Sequence, residues 1–203
     1  MQGLVTELKK AGVRVVLLTP GCVDTLDGSR LADYNDTLSR FADGVAQLGT
    51  KENVPVFNIH KLMLDVQTAA KAKNPAFTMI PDGVHPSAPG QALMAYGLLT
   101  ALGFEGGASS LHLNATKRVV VIADRCNVED LKIAGDSISF KRTDDGLPTY
   151  FDPEAAIVTA FAPSLTTMNS YKLIVNGLKE GKWNLVVQGM AVGTFGWDEL
   201  DME

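Results

Sequence analysis

The stretch Ile80-Pro81-Asp82-Gly83-Val84-His85-Pro86-Ser87-Ala88-Pro89-Gly90 combines two titratable side chains with the signals of a helix start. Ser87 is a candidate N-cap, and Pro89 fits only the first turn of a helix, where its missing N–H is not needed. The apolar run 92–99 follows and predicts a helix that extends to Leu102. His85 is therefore expected in a loop just outside a helix N-terminus, restricted by prolines and glycines on both sides.

Asp82 precedes His85 by three residues in this loop. An imidazole titrates near neutral pH and can move protons, and a carboxylate can hold it in one tautomer and stabilise its protonated form. The two residues are therefore a candidate acid–base pair. A simpler alternative is that Asp82 and Gly83 form a turn and His85 is an ordinary surface residue, because a bare D-x-x-H motif often arises by chance.

The wider pattern Asp-Gly-Val-His-Pro-Ser-x-x-Gly at 82–90 resembles the last conserved block of the SGNH (GDSL-type) hydrolases. Three segments upstream resemble the strand, helix and strand that precede this block in the family: 14–20, 34–38 and 54–59. The resemblance covers the first half of the chain. It implies hydrolysis of a carboxylic or acetyl ester without a cofactor, with a small acyl ester as substrate. His85 would be the general base, oriented by Asp82.

The same resemblance implies a serine nucleophile and glycine and asparagine oxyanion donors, in blocks that are absent before residue 82. The chain thus looks like the C-terminal half of such an enzyme, and we expect a truncated hydrolase whose nucleophile is not identifiable. Gly135-Asp136-Ser137-Ile138 copies the nucleophile block in letters, but its apolar flanks predict a hairpin turn. Cys22 and Ser87 remain as stand-ins, although a buried inert thiol and a helix cap are the simpler interpretations.

Helical and strand-like patterns alternate over the first hundred residues. The pattern predicts helices at 2–11, 30–49, 61–73 and 91–102, and buried strands at 13–18 and 54–59. This alternation is typical of a three-layer, flavodoxin-like α/β fold with a parallel sheet, here only part of one. Functional groups in such sheets collect at the carboxyl ends of the strands, where Cys22 and His60 also lie.

Composition changes near 105–110, which predicts a first domain at 1–105 and a small β-rich one at 108–203. Strands are expected at 118–123, 130–141, 171–176, 182–188 and 191–195, and one helix at 153–161. The second domain resembles an appendage of some bacterial SGNH members. Trp183 and Trp197 leave a carbohydrate-binding role open, but buried or edge anchors are the simpler interpretation.

Composition also excludes several classes of protein. The 203 residues include 18 Lys and Arg against 23 Asp and Glu, a net charge of −5 without a basic cluster, so a nucleic-acid partner is not expected. No apolar run approaches the length of a membrane span, and the N-terminus has no signal-peptide pattern, so we expect a cytoplasmic protein by default. Cys22 and Cys126 form neither a disulfide framework nor a metal-binding spacing.

An incomplete sheet would leave an exposed edge and uncovered apolar faces on the strands at 13–18 and 54–59. We therefore expect a homo-oligomer that forms through these surfaces. Two functional hypotheses follow from the sequence. The chain is either an ester hydrolase of SGNH type or a catalytically incomplete fragment that folds as an oligomer without esterase activity.

Overall fold

The computed structural model describes residues 1–24, 33–104, 106–162 and 164–201. The chain forms two compact units, the first from 1–105 and 150–166 and the second from 106–149 and 167–203. The segment 150–166, which the sequence placed with the β-rich region, thus belongs with the first unit. It contains a 3-10 helix (Pro153–Ala160) that packs on the helix Ala88–Ala101 and buries Ala155 and Val158.

Four helices and two short strands build most of the first unit, which confirms the predicted α/β class. They are α1 (Gln2–Lys10), β1 (Leu17–Leu18), α2 (Tyr34–Glu52), β2 (Val56–Phe57), α3 (Ile59–Lys73) and α4 (Ala88–Ala101). The predicted start of the second helix near Arg30 lies outside the described residues. Among the helices of the described ranges, none combines the length and the apolar character that crossing a membrane requires.

The strands β1 and β2 are parallel and form the middle layer of the first unit. Leu17 lies opposite Val56, and both side chains point toward α1 and α2, where they pack with Val5 and Val45. The next residue along, Phe57, faces the other way because side chains alternate along a strand. Its ring contacts α4, edge-on to Tyr96 with 5.8 Å between the ring centroids. Helices therefore lie on both faces of the strand pair.

For the paired residues, this layering corrects the expectation of uncovered apolar faces at 13–18 and 54–59; Val13, before the paired residues, is exposed. Leu17 is buried, and the other apolar side chains of the two paired segments are half-buried beneath helices. The strands are also shorter than predicted, since only two residues of each are paired. Neither strand pairs with any other described strand, so each keeps one unpaired edge. Among the described residues, the first unit therefore leaves strand edges unpaired while helices lie on both faces of the strand pair.

The second unit consists mainly of strands, and the chain passes through segment 150–166 of the first unit between the sixth and seventh strands. Its strands are β3 (Ser109–Asn114), β4 (Val119–Asp124), β5 (Cys126–Ala134), β6 (Ser137–Asp144), β7 (Tyr171–Asn176), β8 (Lys182–Val187) and β9 (Met190–Gly196). The strand β3 was not predicted; it lies centrally between β4 and β7. The predicted strand at 130–141 is two strands, because the chain reverses at Gly135-Asp136. A short helix, α5 (Ser164–Thr167), contains the point in the sequence at which the chain passes from the first unit to the second.

Candidate active site

Asp82 and His85 are in contact. Asp82 Oδ2 lies 2.7 Å from His85 Nδ1, and Asp82 Oδ1 accepts hydrogen bonds from the backbone N–H groups of Val84 (2.9 Å) and His85 (2.7 Å). These bonds hold the pKa of Asp82 well below its usual range; the backbone N–H of His85 contributes most, followed by the His85 ring. A carboxylate that is stabilised by such donors is ionised at neutral pH. The turn therefore presents a fixed negative charge to the imidazole.

The His85 ring is open to solvent. Its side chain is 83% exposed and that of Asp82 is 58% exposed. A neutral ring that donates Nδ1–H to a carboxylate has its free lone pair on Nε2. That lone pair can accept a proton from a reacting group, and Asp82 then faces the positive charge that forms. The arrangement is thus chemically suited to general base catalysis.

Buried residues anchor the turn from beneath. Met79 and Ile80 are fully buried, and the N–H of Gly83 donates to the Ile80 carbonyl at 2.9 Å. Gly83 has a φ of +86°, a backbone conformation that glycine adopts without the steric cost of a Cβ. The glycine between the two titratable residues is therefore required by the shape of the turn.

The start of α4 holds the other side of the loop. Ser87 occupies the N-cap position, as predicted, but its hydroxyl makes no capping hydrogen bond. Instead its N–H and Oγ both donate to the Met79 carbonyl, at 2.9 and 3.0 Å. Gly90 permits close packing here, because a Cβ at that position would lie 2.8 Å from the Pro86 Cβ. The loop is tied to α4 through tight contacts rather than through the expected cap.

The segment that leaves β1 runs beside the turn, at the carboxyl end of the strand. The backbone N–H of Asp24 donates to the Gly83 carbonyl at 3.0 Å. Asp24 is buried and pairs with Lys71 of α3, while Asn35 of α2 binds the backbone of Val23. Sequence reasoning did not single out Asp24, Asn35 or Lys71. The sequence held a signal for two of them: Asp24 follows a buried strand whose carboxyl end was expected to carry functional groups, and Asn35 lies in the family-like segment 34–38.

The proposed stand-ins for a nucleophile are poorly suited to the role. Cys22 is 3% exposed, and burial raises the pKa of its thiol to about 11, so the reactive thiolate is scarce at neutral pH. The Ser87 hydroxyl is bound to Met79. Ser137 begins β6 directly after the two-residue loop Gly135-Asp136, which confirms the predicted hairpin. In the part of the chain that the structure describes, no serine, threonine or cysteine side chain is hydrogen-bonded to the His85 ring.

The other two histidines are buried. His60 lies in the first turn of α3; its backbone N–H donates to Thr19 Oγ1, and burial lowers the pKa of its ring. His112 lies on β3, and its ring is hydrogen-bonded to the side chain of Asn176. Over the described ranges, no group of three or more His, Cys, Asp or Glu residues is arranged to hold a metal ion.

Comparison with known proteins places the Asp82–His85 turn in a family context. Residues 2–98 match the family model of the GDSL-like lipases and acylhydrolases. The resemblance inferred from the sequence is therefore confirmed for residues 2–98, the segment that contains the turn. No curated protein matches the chain.

Two solved structures are similar to the chain. A gut microbial diltiazem-metabolizing enzyme superposes with a TM-score of 0.69 at 24% identity, over 98% of this chain and 48% of that one. An acetyl-xylooligosaccharide esterase from Geobacillus Stearmophilus, solved as a mutant, matches with a TM-score of 0.40 at 24% identity, over 51% of this chain and 44% of that one. The first likeness supports the fold of the chain. The chain spans about half the length of either structure.

Proposed function

We propose that this protein is an ester hydrolase of the SGNH/GDSL type, in which His85 is the general base and Asp82 orients it. The observation that carries the proposal is the 2.7 Å contact between Asp82 Oδ2 and His85 Nδ1, within a segment that matches the GDSL-like family model. The substrate class is a small carboxylic or acetyl ester, such as an acetyl group on a carbohydrate.

The proposed chemistry follows from the orientation of the ring. His85 Nε2 removes a proton from the attacking hydroxyl or water as the new bond to the ester carbonyl carbon forms. The imidazolium that results is stabilised by the ionised Asp82. It then gives the proton to the leaving alcohol oxygen as the old acyl–oxygen bond breaks. No residue of this chain is assigned as the nucleophile.

A chromogenic acetate ester tests the proposal directly. Turnover by the wild-type chain should fall by a factor on the order of 10² to 10⁴ in His85→Ala, which is the usual contribution of a general base. Val84→Ala is a matched control, since Val84 is the exposed neighbour and only its backbone N–H binds Asp82. Turnover that is equal in wild type and His85→Ala would remove His85 from the mechanism.

The second candidate function is a catalytically incomplete hydrolase unit that assembles as a homo-oligomer without esterase activity. Two observations favour it: no described hydroxyl or thiol is hydrogen-bonded to the His85 ring, and β1 and β2 each keep one edge that no other described strand pairs with. Unpaired strand edges are sites where further chains add.

A serine-reactive fluorophosphonate probe separates the two candidates. Labelling that maps to a single serine supports the hydrolase, whereas absence of labelling supports the incomplete unit. Light scattering tests the assembly separately. A monomer at micromolar concentration would contradict the predicted homo-oligomer.

A further inference from the structure

The three residues 22–24 connect the carboxyl end of β1 to the Asp82–His85 turn. We propose that this segment is a strut that positions His85, and that Asp24, Lys71 and Asn35 are its positioning residues. The catalytic meaning of the strut rests on the proposed function, but its physical effect on the imidazole does not.

The strut acts on the turn at Gly83. The N–H of Asp24 donates to the Gly83 carbonyl at 3.0 Å, while the N–H of Gly83 donates to the Ile80 carbonyl at 2.9 Å. Both backbone polar groups of Gly83 are therefore engaged. Gly83 lies between the carboxylate and the imidazole and has a left-handed φ of +86°. A displacement of Asp24 would thus move the residue whose conformation sets the angle between Asp82 and His85.

An ion pair holds Asp24 in place. Asp24 is 1% exposed, and its Oδ1 lies 2.5 Å from Lys71 Nζ, whose side chain is 33% exposed. The other carboxylate oxygen, Oδ2, has no hydrogen-bond partner among the described residues. A buried carboxylate needs a partner of opposite charge, here Lys71, because removal from water disfavours its charge. Lys71 therefore decides whether the strut keeps Asp24 inside.

Asn35 of α2 holds Val23, the residue that precedes Asp24. Its Nδ2 donates to the Val23 carbonyl at 2.9 Å, and its Oδ1 accepts from the Val23 N–H at 3.0 Å. This paired contact copies the bonding of a neighbouring strand. Residues 23 and 24 are thus fixed by α2 and α3 at once, which leaves the strut little freedom to shift.

A general base needs support of this kind because its catalytic activity depends on the accurate position of its ring. Catalytic groups lose activity when they are misplaced by about 1 Å, by factors on the order of 10². The His85 ring is 83% exposed and receives little packing of its own, so its orientation depends on the turn that carries it. The strut is the contact that supports this turn from the β1 side.

The test uses nitrogen-15 NMR of the imidazole rings in the full chain, which reports the tautomer of His85 without any need for turnover. Asp24→Asn keeps the shape of the side chain and removes its charge, and Lys71→Met removes the partner. Each should lower the fraction of the Nδ1–H tautomer of His85 at least twofold and broaden the amide signals of residues 83–85. Lys71→Arg keeps the positive charge and should give the same His85 signals as the wild type.

Lys61→Met is the matched control, because Lys61 pairs with Asp65 on the same helix but in an exposed position. Its His85 signals should equal those of the wild type. If a variant of the buried pair fails to fold by circular dichroism, Asn35→Ala provides the second perturbation. Folded variants of Asp24, Lys71 or Asn35 with an unchanged His85 ring would overturn the proposal.

The outcome is separable from that of the proposed function. If His85→Ala hydrolyses esters as well as the wild type, the hydrolase mechanism fails while the strut is still judged by the ring signals. If the chain is an active hydrolase, Asp24→Asn should lower kcat with little change in KM, since the strut contacts the turn that carries the base.

Discussion

Asp82 binds His85 twice, once through the ring and once through the backbone. Oδ2 lies 2.7 Å from Nδ1, and Oδ1 lies 2.7 Å from the backbone nitrogen of the same residue. The carboxylate cannot rotate away from the imidazole without giving up the bonds that shape the turn. Orientation of the ring and conformation of the loop are therefore a single property of this site.

Acidification should selectively remove the stabilisation that Asp82 provides. Hydrogen bonds from His85 lower the pKa of Asp82 in the folded state, so its contribution is fully present above the ordinary aspartate pKa of about 3.9. It is lost as pH falls below that value toward the lowered folded pKa, because the unfolded state takes up the proton first. Urea midpoints of wild type and Asp82→Asn from pH 2 to 6 should differ most at the upper end. A difference that grows toward pH 2 would contradict this expectation.

The two lysine pairs of α3 should differ strongly in their effect on stability. Lys71→Met leaves the buried Asp24 carboxylate unpaired and should lower the free energy of unfolding by about 3 kcal/mol. Lys61→Met removes an exposed pair with Asp65 and should change it by less than about 0.5 kcal/mol. Urea denaturation of both variants measures the two values. Equal losses would show that the burial of Asp24 does not set the strength of its pair.

Cys22 should be inert toward alkylation in the folded protein. Burial raises the pKa of its thiol to about 11, so at pH 8 only about one thiol in a thousand is ionised. Iodoacetamide labelling followed by mass spectrometry should therefore modify Cys22 slowly in the native state and rapidly in urea. Any esterase activity should persist in Cys22→Ser. Rapid labelling of native Cys22 would restore it as a candidate nucleophile.

Gly90→Ala should destabilise the loop at the start of α4. The added Cβ would lie 2.8 Å from the Pro86 Cβ and 3.3 Å from the Met79 carbonyl oxygen, which also receives two bonds from Ser87. Overpacking of this kind costs about 1–3 kcal/mol. Gly44→Ala is the control, since a Cβ there meets nothing within 4 Å and helix propensity favours alanine. Thermal unfolding should therefore rank Gly90→Ala below the wild type and Gly44→Ala at or above it.

Much of the local structure could be predicted because its causes are close together in the chain. Pro89 and the apolar run after it indicated α4, and the Gly135-Asp136 pair indicated a hairpin. The strand predicted at 171–176 has those bounds in the structure. By contrast, β3 was missed although Leu111 and Leu113 alternate as in a strand. It is placed between β4, the next strand along the chain, and β7, a parallel partner that comes much later in the sequence.

The sequence by itself determined the Asp82–His85 turn. Each hydrogen bond that joins the two residues spans at most three positions, so the spacing of proline, glycine and the carboxylate is enough to predict it. Only the tertiary structure decided what supports that turn. Lys71 is 47 residues from Asp24, and burial of the carboxylate, which makes the pair necessary, arises when α2, α3 and β1 pack together. Local hydrogen bonds can therefore be predicted from the sequence, whereas the cost of burying a charge depends on which distant segments exclude water from it.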